Sequence, residues 1–315
     1  MAHVTTKPKR LSIIAGLLAA VALWGGNNAG VKFLVHDWPP LFTGSTRFLC
    51  AGLLMFALLR WTRWLGPASR ISRETNRRLW LRGGLGLAAY VALFNLALRF
   101  TAASHVALYL AASPVWALLW EGSAGASARV RLKRGGAAAL ALAGVAVLFW
   151  PTLHASGGSL TGEVLGLTAS VLWTHYGRQC RALGGAGAAG LSGAEIAAHT
   201  MWRAGVLLLP FALLEATRQP PRWSPMLLAV QGYCIIAGGI LAFALWNHAL
   251  RHWKTSEVYL FNNLIPLSTA IWAHFCLRET ISPTFWPAMV LIVAGVLAGQ
   301  ADWQRLLGRN WVPEE

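Results

Sequence analysis

The chain carries one stretch twice. Shifted by 152 positions without a gap, residues 95–120 (NLALRFTAASHVALYLAASPVWALLW) lie over residues 247–272, and nine of the twenty-six pairs are identical. Asn95/Asn247, Arg99/Arg251, Ser104/Ser256, Pro114/Pro266 and Trp120/Trp272 are among them. Two unrelated apolar stretches would not share an Asn, an Arg and a Pro in register. The chain is a duplicated unit, expected to fold as two like halves, 1–155 and 156–315.

What each half is made of follows from composition. The chain is 56% hydrophobic and only 12% charged, about half the charged share of a soluble domain. Its 17 tryptophans suit a membrane–water interface. A net charge of +16 would suggest nucleic acid in a soluble protein. Here the cations gather between apolar stretches, which fits loops facing anionic lipid and argues against nucleic-acid binding. Cys50, Cys180, Cys234 and Cys276 stand singly, without a C-x-x-C pair, so neither a disulfide framework nor a zinc site is indicated.

Crossing the bilayer core of about 30 Å takes about 20 helical residues. Ten segments qualify: 11–35, 40–60, 79–98, 102–121, 134–151, 162–181, 196–216, 226–249, 254–277 and 284–303. The first imitates a secretory signal, with Lys7, Lys9 and Arg10 before the apolar run and Ala20-Val21-Ala22 as a mock cleavage site. That run continues to Val35, and a similar segment (GLTASVLW, 166–173) sits mid-chain, so it is read as a membrane helix. With the N-terminus cytoplasmic, 20 Lys and Arg fall on the cytoplasmic side and 4 on the other, which places both termini inside. Five segments per half is an odd number. The second copy therefore enters from the opposite face, and the expectation is an all-α polytopic membrane protein with ten transmembrane helices as two inverted five-helix repeats. Secondary transporters use that architecture, with a substrate site near mid-membrane.

These residues resemble the EamA-type branch of the drug/metabolite transporter superfamily. The likeness rests on Ala22-Leu23-Trp24-Gly25, Arg47-Phe48, the ALRFTAAS-to-Pro114 stretch, Gly136, Ala143-Gly144-Val145, Ala249-Leu250 to Pro266, Leu277-Arg278-Glu279 and Ala294-Gly295-Val296. It implies two five-helix units, an amino acid or similar metabolite as solute, and export as the commoner direction. Arg47 matches a family position. One departure stands out: Glu279 follows Pro266 by thirteen residues, whereas thirteen after Pro114 comes Ser127. Shorter relatives assist lipid-linked-sugar translocation, and that remains an alternative; ten helices rather than four argue against it.

No hydrolytic, Walker or metal-ligand spacing is present, so no cofactor is expected. An intramembrane enzyme would need a paired dyad at mid-depth, where His175 stands almost alone. Polar groups far from water are the candidates for function. The first segment carries Trp24, Asn27 and Asn28 beside Gly25 and Gly26, and the sixth carries Trp173, His175 and Tyr176. In the ninth, Tyr259, Asn262, Asn263 and Pro266 fall at i, i+3, i+4 and i+7, one face of an α-helix. Trp24, Asn27, Asn28, Trp173, Tyr176, Tyr259, Asn262 and Asn263 are thus expected to bind substrate, the plainer reading being hydrogen bonds between neighbouring helices. The repeat sets His105 over Glu257 at mirror depths, so His105, His175, Glu257 and Arg47 are expected to gate or to couple protons. Lys32, Arg47 and Arg278 lie near outer helix ends, where long side chains reach the interface. Glu121 and Glu279 close helices and suit hydrogen bonds to neighbouring helix ends. Partners are a small-molecule solute and the lipid bilayer of the plasma (inner) membrane, with a homodimer left open.

Overall fold

The computed structural model describes residues 10–62, 65, 69–121, 128–154, 160–184, 191–252, 258 and 260–300. Among them every regular element is helical. The first half gives α1 (Arg10–Asp37), α2 (Pro40–Trp61), α3 (Arg73–Arg78), α4 (Leu85–Phe100), α5 (Ala103–Ala111), α6 (Ser113–Glu121) and α7 (Ala128–His154). The second gives α8 (Leu160–Gly184), α9 (Gly193–Arg218), α10 (Pro225–Tyr233), α11 (Ala242–His252), α12 (Ile265–Leu277) and α13 (Phe285–Gln300). A backbone in lipid must satisfy its own N–H and C=O groups, and helices do so within one segment.

Helix starts carry matching chemistry. Ser192 caps α9 in a full capping box with Glu195, and Ser72 and Ser224 cap α3 and α10 by accepting from Thr75 N and Leu227 N. Pro40 and Pro225 occupy first turns, where the missing N–H costs nothing.

Described helices fall where the ten segments were expected, but not all are unbroken. Five stretches are long and apolar enough to cross a membrane: Arg10–Asp37, Pro40–Trp61, Arg73–Phe100, Gly193–Arg218 and Pro225–Trp246. The fourth segment breaks at Ala112, between α5 and α6. Pro114 has no N–H to give the Leu110 carbonyl, and the Ser113 hydroxyl donates to that carbonyl instead. The ninth departs further. A 3₁₀ turn, Leu260–Leu264, precedes α12, because Pro266 cannot donate to the Asn262 carbonyl. Residues 260–264 are thus wound more tightly than the continuous α-helix expected: Asn263 stays on the buried side with Pro266, three residues on, while Asn262 turns away from it. π-helical turns join α3 to α4 (Leu79–Gly84) and α10 to α11 (Cys234–Leu241). Under the 152-residue shift these two π stretches overlap.

Packing runs across the halves. α2 crosses α9, α7 lies on α13, α1 packs on α11 and α12, and α8 packs on α4 and α5. At the α2–α9 crossing the backbones touch: a Cβ on Gly52 would stand 2.8 Å from Trp202 Cα, and one on Gly205 2.7 Å from Leu49 Cα. Small residues allow that approach where lipid gives helices no hydrophobic drive to associate. One large core joins α1, α2, α4, α8, α9 and the π turn after α10, and a second joins α5, α7, α12 and α13. Leu53, Phe211, Phe275 and Val290 point outward from the bundle, as lipid-facing residues do.

Two cations fasten α1 to α4. Lys32 Nζ donates to the Leu98 and Thr101 carbonyls at 2.7 and 2.8 Å, at the end of α4. Arg99 in turn donates to the Val35 and His36 carbonyls at the end of α1. Each covers the orphan carbonyls and negative dipole of the other's helix.

Candidate functional site

Arg47 sits in the second turn of α2, on the face turned to α1, and is 5% exposed. It does not reach the interface as its position near a helix end suggested. Its Nη1 donates to Asn27 Oδ1 at 3.1 Å, and its guanidinium lies 4.5 Å from the Phe48 ring centre. Among the described residues its Nε has no hydrogen-bond partner. Asn27 is brought there by close packing, since a Cβ on Gly238 would fall 2.6 Å from Asn27 Oδ1. The Cys234 thiol, 3.8 Å from the Asn27 carbonyl, and Tyr90 are near enough to Arg47 to interact with its charge.

Tyr90 opens an aromatic row. Phe94, Tyr90, Trp173 and Tyr176 follow one another at centroid spacings of 5.5, 4.9 and 5.5 Å, tilted rather than stacked flat. The Tyr176 hydroxyl shares a 2.8 Å hydrogen bond with Thr200, which ties the row to α9. Asn27 thus bears on Arg47 directly, and Trp173 and Tyr176 join the same chain of contacts through Tyr90, which sequence reasoning missed. Tyr90 is one apolar-looking letter among many in its segment, and only lateral packing distinguishes it.

The other expected residues are placed differently. Trp24 Nε1 donates to the Gly238 carbonyl at 3.1 Å, and its ring packs on Phe243 and Trp246. Asn28 is buried and donates to Thr269 Oγ1 at 3.1 Å, tying α1 to α12. Asn263 is buried and Asn262 half-buried in the 3₁₀ turn. His175 points away from the bundle, near Gln179 and the Trp120 ring, so no buried relay passes through it. Tyr259 and Glu257 lie outside the described residues, as does the Glu121 side chain.

A second polar cluster forms where α5 meets α8. Glu163 is 3% exposed and accepts from the Thr101 and Tyr109 hydroxyls. His105 Nδ1 stands 3.0 Å from Glu163 Oε1. A carboxylate only accepts, so the ring proton belongs on Nδ1. Glu163 escaped the sequence reading because it falls one residue inside the start of a segment, where an acid passes for a solvated end. Glu279, at the end of α12, accepts from Ala103 N at 3.2 Å and caps α5, the helix-end role its position suggested.

The six acidic side chains described are all engaged away from Arg47. Asp37 pairs with Arg222 and Glu74 with Arg78. Glu195 accepts from Ser69 and Ser192, and Glu215 from Leu41 N and Phe42 N. Glu163 and Glu279 are accounted for above. Arg203, the other deeply buried arginine, is better supplied. It donates to His199 and to Asn76 Oδ1 and lies between the Trp80 and Trp202 rings.

Residues 11–150 and again residues 160–298 match the family described as the EamA-like transporter family. An "Uncharacterized transporter" of Archaeoglobus fulgidus is 27% identical over 295 residues, covering 89% of this chain and 94% of its own. The "Uncharacterized inner membrane transporter YedA" of Escherichia coli K12 is 26% identical over 297 residues, covering 91% and 90%. A Salmonella typhimurium protein, "Probable amino-acid metabolite efflux pump", is 23% identical over 299 residues, covering 89% and 91%. One crystal structure shares the fold with a TM-score of 0.60 at 19% identity, covering 92% of this chain and 96% of its own.

Proposed function

The chain belongs to the EamA-like transporter family, and on that premise we propose that it moves a small organic solute across the membrane by alternating access. It is a multi-pass membrane transporter, not an enzyme. The finer reading is ten transmembrane helices in two inverted five-helix repeats, 1–155 and 156–315, in the plasma (inner) membrane with both termini cytoplasmic. The solute is an amino acid or similar metabolite, and the direction is export.

The observation that carries this reading is the pairing of helices across the halves. α1 packs on α11 and α12 as α8 packs on α4 and α5, while α2 meets α9 and α7 meets α13. A twofold axis in the membrane plane would generate that pattern, and it leaves a centre where the halves meet. Asn27, Trp173 and Tyr176 are the solute-binding residues nearest that centre. Trp24, Asn28, Asn262 and Asn263 support them from the α1–α12 side. The His105–Glu163 cluster is the proton-linked gate. Export from amino-acid-loaded cells, and flux in vesicles reconstituted with purified protein, test the reading. Labelled amino acids should cross faster than in protein-free vesicles, and equal rates would overturn it.

A further inference from the structure

We infer that Arg47 is the anchor of an anion site and that the solute presents a carboxylate to it. This deepens the transport reading and rests on it. A guanidinium buried to 5% exposure in a membrane bundle needs a counter-charge or a full set of acceptors. Arg47 has neither. Among the described residues one neutral amide, Asn27 Oδ1, accepts from it, and its Nε donates to nothing. Each of the six described carboxylates is committed elsewhere. Arg203 shows what a structural arginine looks like in this bundle. Its Nε, like that of Arg47, has no partner among the described residues, but its two terminal nitrogens hold three acceptors and two indoles cover it, where Arg47 has one acceptor.

The missing partner is a planar anion. A guanidinium fork matches a carboxylate in two parallel hydrogen bonds, and Nε with one terminal nitrogen is one such edge. Tyr90, close enough to interact with the Arg47 charge, packs on Trp173, and this aromatic pair supplies the apolar side of the site. No described carboxylate stands at this centre to pair an ammonium. The anion is therefore the recognised end, and an amino group is tolerated rather than required.

The test uses the purified full chain, in detergent and in vesicles, with three probes sharing one branched apolar body. L-leucine carries both charged groups, isocaproate the carboxylate alone, and isoamylamine the ammonium alone. Both carboxylates should raise the unfolding temperature in detergent and cross the vesicle wall faster than in protein-free controls; isoamylamine should do neither. Arg47→Gln should weaken the carboxylate response by about tenfold or more while unfolding normally without ligand, and Arg47→Lys, which keeps the charge, should retain part of it. A structural Arg47 gives the reverse, with little folded Arg47→Gln protein and an unchanged response per folded molecule. That result overturns the proposal, as does a response to isoamylamine equal to that of the carboxylates or no response to any probe. If only the amine crosses, the anion site falls and transport stands. If carboxylates stabilise the protein through Arg47 but none crosses, the site stands and the transport reading falls.

Discussion

His105 and Glu163 face each other at 3.0 Å across the seam between α5 and α8, in a cluster completed by Thr101 and Tyr109. Three donors converge on one buried carboxylate, so its removal takes an acceptor from each. Glu163→Ala should destabilise the protein by about 1–3 kcal/mol or more, the cost of leaving buried donors unsatisfied. Thermal unfolding in detergent measures this. Glu163→Gln, whose amide oxygen still accepts, should cost less.

The same pair predicts a coupled pH response. If protons pass here, His105→Ala and Glu163→Gln should each flatten the dependence of flux on pH, and the double variant should add little to either. His175→Ala should leave the profile unchanged, because that ring faces away from the bundle. Equal pH profiles in all variants would remove proton coupling through this cluster.

Asn27 and Asn28 are adjacent in sequence and predict opposite phenotypes. Asn28 holds Thr269 on α12, so Asn28→Ala should lower stability by about 1 kcal/mol with near-normal flux per inserted molecule. Asn27 holds Arg47, so Asn27→Ala should reduce flux by roughly tenfold at normal abundance, the equivalent of one hydrogen bond to a charged group. Flux normalised to membrane-inserted protein separates the two.

Orientation is checked by reporter fusions. Tags at both termini and within residues 61–72 should report the cytoplasm, and a tag within 219–224 the opposite side. The basis is the asymmetry of 20 basic residues against 4. Termini on opposite sides would mean an odd number of crossings and would end the inverted-repeat reading.

Much of the fold was legible in the sequence because lipid imposes a minimum apolar length, and length is read without any structure. Boundaries such as 40–60 against Pro40–Trp61 and 196–216 against Gly193–Arg218 agree within a turn. The broken ninth segment was less legible. Pro266 signals a break, but the preceding residues keep enough apolar character to imitate a continuous helix. The site was legible only in part. Asn27, Arg47, Trp173 and Tyr176 stood out as polar or aromatic groups at depth. Tyr90, Glu163 and the outward turn of His175 did not, because a helix apolar on every face has weak periodicity and does not say which side meets its neighbours. Hydrogen-bond partners such as Thr269 for Asn28 belong to helices 241 residues apart, beyond any local pattern.

The backbone contacts of Gly52 with Trp202 and of Gly205 with Leu49 have a mechanical consequence. Where main chain rests on main chain there is no rotamer to readjust, so the crossing of α2 and α9 tolerates tilt far better than sliding. α2 comes from one half of the duplicated chain and α9 from the other. If the halves rock against each other as proposed, this crossing serves as a fulcrum, shared with the α7–α13 and α4–α8 contacts. Arg47 stands five residues from Gly52 along the same helix, about 7.5 Å from the fulcrum along its axis. A small lever arm of that kind turns a few degrees of rocking into a sub-ångström shift at the guanidinium, while the far ends of both helices swing about twice as far.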